Sequence, residues 1–177
     1  MGAGVLPMCV INSKIYFLFG KERDIDENPG WSDFGGGSEP KESFMETACR
    51  ECSEELCGFL GNHITINKML KTNGYMNLFL PNPANKNKGY MVFMTLIDYN
   101  PYLIEYFNNH QKFIHQHLDK KIIRDSKLFE KTQIKWFAFD DIIKHKTQFR
   151  SFYKKIAKLL IDNKPEIESY VTKLISK

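Results

Sequence analysis

The sequence predicts a mixed domain of the α/β or α+β class, with a helical C-terminal part packed on a sheet. Three observations predict it. Apolar runs of strand length stand at Val5–Ile11, Ile15–Phe19 and Tyr90–Ile97. Two later segments repeat their apolar residues every three or four positions, the helical period. Clusters of Gly, Pro, Asn and Asp punctuate the chain between them.

The elements follow in order. Val5–Ile11 and Ile15–Phe19 read as two strands joined by a tight turn at Asn12–Ser13. Asp24–Gly30 is a polar loop, and Trp31–Phe34 is a short aromatic approach to the triple glycine Gly35–Gly37. A helix is expected from Ser43 to Leu56, ending at Cys57–Gly58. His63–Met69, Tyr75–Leu80 and Tyr90–Ile97 read as strands, with a mobile loop at Pro81–Lys88. Tyr102–Leu118 has helical spacing at Leu103, Tyr106, Phe107, Phe113, Ile114 and Leu118. Ile134–Phe139 alternates as a strand, and Asp140–Asp141 is placed to cap the helix after it. Phe149–Ile161 repeats apolar residues at helical spacing, and Lys154, Lys155 and Lys158 hold its other face. Pro165–Ile175 reads as a last short helix. No internal repeat or linker divides the 177 residues, so one domain spans 1–177.

Composition removes several classes. Apolar residues at 42% and aromatics at 14% can build a core, which excludes wholesale disorder. No apolar run approaches the ~20 residues of a membrane span. The N-terminus lacks the pattern of a signal peptide. Cys9, Cys49, Cys52 and Cys57 read as buried apolar thiols in a reducing, cytoplasmic setting rather than as zinc ligands or disulfides. The net charge of +4 permits a polyanionic partner without arguing for one.

The segment from Gly36 to Glu55 carries the chemistry. At ~100° per residue, Glu51, Glu54 and Glu55 share one side of the expected helix. Ala48, Cys52, Met45, Leu56 and Cys49 form the adjoining apolar stripe. Three neighbouring carboxylates oppose one another's ionisation. A hard divalent cation relieves that cost, because Mg²⁺ takes oxygen ligands and keeps waters for substrate phosphates. A solvated acidic face is the competing reading of the glutamates taken alone.

Gly36, Glu42, Arg50, Glu51, Glu54 and Glu55 also match a longer pattern. Five residues separate Gly36 from Glu42, and seven separate Glu42 from Arg50. This is the signature G-x5-E-x7-R-E-U-x-E-E-x-G-U, with Cys52 at the first apolar (U) position. Six fixed identities at ~1 in 20 each arise by chance on the order of 10⁻⁸ per starting position. The chain therefore resembles the Nudix hydrolase superfamily, specifically over about residues 30–58 and loosely elsewhere. The signature's final glycine falls on Cys57, with Gly58 one residue late. The expectation is that the helix runs one residue further and Gly58 supplies the left-handed cap.

The resemblance implies an α/β/α sandwich with a mixed sheet, a helical insertion at about 99–129 and C-terminal helices at about 149–175. It implies hydrolysis of a diphosphate linkage in a nucleoside diphosphate joined to another group, with Mg²⁺ or Mn²⁺ as cofactor. Glu51, Glu54 and Glu55 would hold the metal, with the backbone carbonyl of Gly35. Glu54 would position or deprotonate the attacking water. Glu42 and Arg50 would form a supporting ion pair. Glu130, just ahead of a strand carrying Trp136–Phe137, is the candidate for a further acid, as metal ligand or general base. Its competing reading is a surface glutamate.

The substrate is less defined. Trp31, Phe34, Tyr75 and Phe79 either stack on a base or join the core. Lys21 and Arg23 either meet phosphates or sit in solvent. The loop W-S-D-F-G-G-G resembles that of nucleotide-hydrolysing members, which favours a nucleotide or nucleotide sugar. RNA decapping is the alternative, through Lys86–Lys88 and the Arg150–Lys158 helix; diphosphoinositol or dinucleoside polyphosphate substrates and a non-catalytic nucleotide-binding module also stay open. No membrane partner is expected, and a homodimer is compatible with the resemblance.

Overall fold

The computed structural model describes residues 1–23, 29–126 and 129–176. Residues 24–28 of the expected polar loop and 127–128 of the expected insertion lie outside the described residues. Seven strands form one mixed sheet between two helical layers. β1 (Gly2–Ile11) and β2 (Lys14–Glu22) form a hairpin. Its turn places Asn12 and Ser13 at φ of 48° and 61°, the left-handed pair that suits a two-residue hairpin. β3 (Trp31–Ser32) and β7 (Lys131–Ala138) both pair with β2. β4 (Phe34–Gly37) pairs with the first half of β1, and β2 pairs with its second half. On the other side, β1 runs parallel to β6 (Asn85–Leu96), which pairs with β5 (Met76–Asn82).

Alternation along the strands divides the core into two faces. Leu6, Met8, Phe17, Phe19, Val92 and Phe137 point to one side. There they meet α5 (Phe139–Lys144), α6 (Tyr153–Asp162) and α7 (Lys164–Ile175). Ala3, Val5, Leu18, Phe34, Phe93 and Ile134 point to the other side, against α1 (Phe44–Glu55), α2 (His63–Asn73) and α3 (Leu103–His117). This is the expected sandwich. The insertion, α3 with α4 (Lys120–Asp125), is more than an appendage. Asn108 on α3 accepts from the Ile134 amide at 2.8 Å and donates to its carbonyl at 3.2 Å, which fixes α3 to β7.

Three expectations need correction, and a fourth is narrowed. His63–Met69 is helix, not strand: Asn62 caps α2 by accepting from the Thr65 amide at 2.9 Å, and Ile66 and Leu70 are buried while Ile64 is exposed. The β-branched run Ile64–Ile66 imitates a strand, but the buried spacing is i, i+4. The Pro81–Lys88 loop is mostly ladder, since β5 runs to Asn82 and β6 starts at Asn85. The helix expected from Phe149 starts at Tyr153, because Phe149 is extended and bridges Trp31, and the Arg150 amide donates to the Trp31 carbonyl. Of the expected pair Asp140–Asp141, Asp141 is the capping residue. α5 begins at Phe139, and Asp141 in its first turn accepts from the Ala138 amide at 3.0 Å.

The end of α1 is a further correction. The helix stops at Glu55, and Cys57 itself takes φ +49°, followed by Gly58 at +74°. The Cys57 amide donates to the Glu54 carbonyl and the Gly58 amide to that of Ser53. These are the two bonds of a Schellman cap, with Cys57 in the glycine position. Cys9, Cys49 and Cys52 are buried free thiols; burial pushes Cys9 up to about 12 and Cys49 up to about 11. Among the described residues no helix is long and apolar enough to cross a membrane.

Candidate active site

α1 delivers its carboxylates because its start is fixed. Ser43 accepts from the Glu46 amide, and Glu46 accepts from the Ser43 amide at 2.9 Å, a reciprocal capping box. From there the helical period sets Arg50, Glu51, Glu54 and Glu55. Arg50 donates twice to Glu42, at 2.7 and 3.0 Å, and once to the Gly37 carbonyl at 3.0 Å. Its remaining reach goes to Glu51 at 2.8 Å and Glu54 at 3.4 Å. Arg50 thus ties the glycine loop, Glu42 and two helix carboxylates together. Its hydrogen bonds hold the Glu42 carboxyl down at about 2. Gly36 leaves room for Glu51: a Cβ there would lie 2.6 Å from the Glu51 carboxyl carbon.

Glu55 faces inward and is buried. Its Oε2 accepts from the Gly35 amide at 2.8 Å, and its Oε1 lies 3.3 Å from the Lys131 ammonium. Burial raises its pKa well above the usual carboxylate range, with Lys131 opposing the shift. Two strands complete the pocket. Glu22 ends β2 and Glu130 immediately precedes β7. One carboxylate oxygen from each of Glu22, Glu55 and Glu130 can be chosen so that all three lie within 4.8 Å of one another. Burial, then the charge of Glu22, raises the Glu130 pKa. Oxygens around a six-coordinate Mg²⁺ lie about 3 to 4.2 Å apart, given bonds of about 2.0–2.1 Å. The set is all oxygen, which suits a hard divalent ion; on one ion at least two of the three oxygen pairs would stand about 3 Å apart.

The expected residues therefore separate. Glu42, Arg50, Glu51, Glu54, Glu55 and Glu130 gather here. The amide of Gly35 meets Glu55, which places that glycine at the site. Phe34 is fully buried in the core beneath α1 and presents no face to a ligand. Trp31 is also core, stacked edge-on against Phe137. Arg23 is buried, and its guanidinium donates to the Ile123 carbonyl at 2.7 Å, anchoring α4. Lys21 lies within the β2 ladder between Trp31 and Gln133. The basic residues at the cleft are different ones.

That cleft, about 420 Å³, opens beside Gly35–Gly37 and is lined by Lys88, Arg150, Asn82, Tyr90 and Phe152 among others. Arg150 donates to Glu22 at 2.7 Å and lies over the Phe152 ring at 5.3 Å. The Tyr90 hydroxyl donates to Asp33 at 2.8 Å. Asp33 is wholly buried, and burial raises its carboxyl to about 7 against the lowering effect of that bond. A Cβ on Gly4 or Gly35 would come within 2.7 Å of the Tyr90 hydroxyl, so both glycines make room for this pair. Sequence reasoning missed Glu22, Lys131, the Asp33–Tyr90 pair and the true place of Arg150. Glu22 and Lys131 are cross-strand partners beside a register shift, and no local spacing announces that.

No protein-family model and no curated protein sequence matches the chain. Solved structures do. The binary complex of an Ap4A hydrolase from C. elegans superposes with a TM-score of 0.55 at 17% identity, covering 98% of this chain and 99% of that one. RenU, a Nudix hydrolase from M. smegmatis, superposes with a TM-score of 0.57 at 9% identity, covering 94% and 87%. A bifunctional NMN adenylyltransferase/ADP ribose pyrophosphatase from Francisella tularensis, complexed with AMP and a Mn ion, gives 0.52 at 13% identity, covering 91% of this chain and 41% of that one. At these identities the likeness is one of fold.

Proposed function

We propose that this chain, which has the Nudix fold, is a pyrophosphohydrolase that uses Mg²⁺ or Mn²⁺ to cleave a phosphoric anhydride in a nucleoside diphosphate joined to another group. One observation carries the proposal. Glu55 of α1 comes together with Glu22 and Glu130 beside a cleft lined by Lys88 and Arg150, and Arg50 holds Glu51 and Glu54 on the same helix. A solvated acidic face, the competing reading of those glutamates, does not account for a Glu55 buried to 2% exposure.

In this reading Glu51, Glu54 and Glu55 hold the ion and Arg50 sets the direction of the first two. A bound divalent ion would supply charge to the phosphate oxygens and a water of lowered pKa. Glu54 and Glu130 are the two candidates to take a proton from that water. Burial raises the Glu130 pKa, which makes its carboxylate a stronger proton acceptor than an ordinary glutamate and favours it. Lys88 and Arg150 draw the phosphates into the cleft. Tyr90 and Phe152 supply the ring faces for a base, the part first assigned to Phe34. Buried free thiols fit a cytoplasmic setting.

The test is a ³¹P NMR panel of nucleoside triphosphates, nucleotide sugars, dinucleoside polyphosphates and capped RNA, each with EDTA, Mg²⁺ or Mn²⁺. Turnover of a nucleotide substrate only with metal is expected. Turnover of capped RNA alone would move the assignment to decapping. No turnover of any member, with nucleotide still bound, would leave a binding module.

A further inference from the structure

Lys131 has no exposed side-chain surface, yet it carries a charge into the middle of the carboxylate pocket. Its ammonium pairs with Glu22, donates to Ser32 Oγ at 2.7 Å and lies 3.3 Å from Glu55 Oε1. The fold makes room for it: a Cβ on Gly20 would lie 2.8 Å from Lys131 Cδ. Glu22 Oε1 accepts from Lys131, from Arg150 at 2.7 Å and from Ser32 at 3.3 Å. Three donors on one oxygen commit it to the protein. Glu55 is likewise engaged at both oxygens, by Gly35 and Lys131.

The charges follow. Glu22, Glu51, Glu54, Glu55 and Glu130 gather at the pocket, and Glu42 joins through Arg50. Arg50, Lys131 and Arg150 oppose them in direct ion pairs, and Arg23 acts on Glu130. Lys131 thus already sits on two of the three carboxylates, Glu22 and Glu55, that could otherwise hold an ion beside α1. We infer that Lys131 is a resident counter-cation of this pocket and limits it to a single divalent ion; this rests on the metal-dependent reading above. Without Lys131, Glu22 and the inner oxygen of Glu55 are released as ligands for a second ion.

The test uses the full chain without nucleotide, titrated with Mn²⁺ and followed by electron paramagnetic resonance. Wild type is expected to bind one Mn²⁺, and Lys131→Met two. In thermal melts, Lys131→Met is expected to be the less stable in EDTA and to gain more from Mn²⁺ than wild type does. Lys131→Gln keeps a donor for Glu22 and serves if methionine does not fold. Variants that lose stability but still bind one Mn²⁺ with wild-type affinity would make Lys131 structural only, and overturn the inference. Two Mn²⁺ on wild type would overturn it as well. No Mn²⁺ on wild type would sink the metal-dependent reading itself.

Discussion

Glu42 shows how far a single residue can be read from a signature. The resemblance implied an ion pair with Arg50, and the two groups make two hydrogen bonds of 3.0 Å or less. The pair has a pH signature. An unfolded glutamate titrates near ~4.3, and the folded Glu42 near about 2. The pair's stabilisation is therefore complete above the unfolded value and is lost as pH falls toward the folded one. Urea midpoints of wild type are expected to drop more steeply than those of Glu42→Gln between pH 4.5 and 2. Parallel curves would mean that the pair adds nothing to folding. Glu22 and Lys131 were not legible in the same way. They lie 109 residues apart and meet only through the pairing of β2 with β7. A charge that a sheet register buries looks, in sequence, like any surface charge.

At the scale of elements, local chemistry was decisive wherever it was consulted. Ser43 and Glu46 mark the start of α1 by type and spacing, and the helix obeys. Asn62 before α2 is an equally good cap, but the β-branched residues after it favoured a strand, and tertiary burial of Ile66 and Leu70 decided otherwise. Cys57 is the reverse case. The signature calls for glycine there, and the chain forms the same cap with a residue that disfavours it. A non-glycine left-handed residue costs ~1–2 kcal/mol, and glycine gives back ~0.5–1 kcal/mol in unfolded-state entropy. Gln111 also donates to the Cys57 sulfur at 3.2 Å, a weak bond that glycine loses. Cys57→Gly is thus expected to stabilise by about 0.5 kcal/mol, read as a rise of about 1–2 °C in melting temperature. A fall would show that the Gln111 contact outweighs the backbone strain.

The whole molecule places its site where the two core faces and the sheet edges converge. α1 supplies carboxylates from one layer. The segment before α6, on the other layer, supplies Arg150 and Phe152 to the cleft. The sandwich was legible from alternating runs and helical periods. Beyond the β1–β2 hairpin the strand order was not, since β1 also pairs with β4 and lies parallel to β6, contacts between segments far apart in the chain. The net charge of +4 is uninformative at this scale, because it averages an acidic pocket with lysines of α6 such as Lys154, Lys155 and Lys158, which are exposed. The central claim is that this pocket performs metal-dependent hydrolysis. It is tested most directly by comparing wild type with Glu55→Gln on the nucleotide hydrolysed best, with Mg²⁺ or Mn²⁺, alongside circular dichroism. The account predicts turnover by wild type that EDTA abolishes, and a loss of orders of magnitude in kcat for the folded variant, because the ion that Glu55 helps to hold would supply the activated water. A folded Glu55→Gln with wild-type turnover, or turnover indifferent to EDTA, would contradict it.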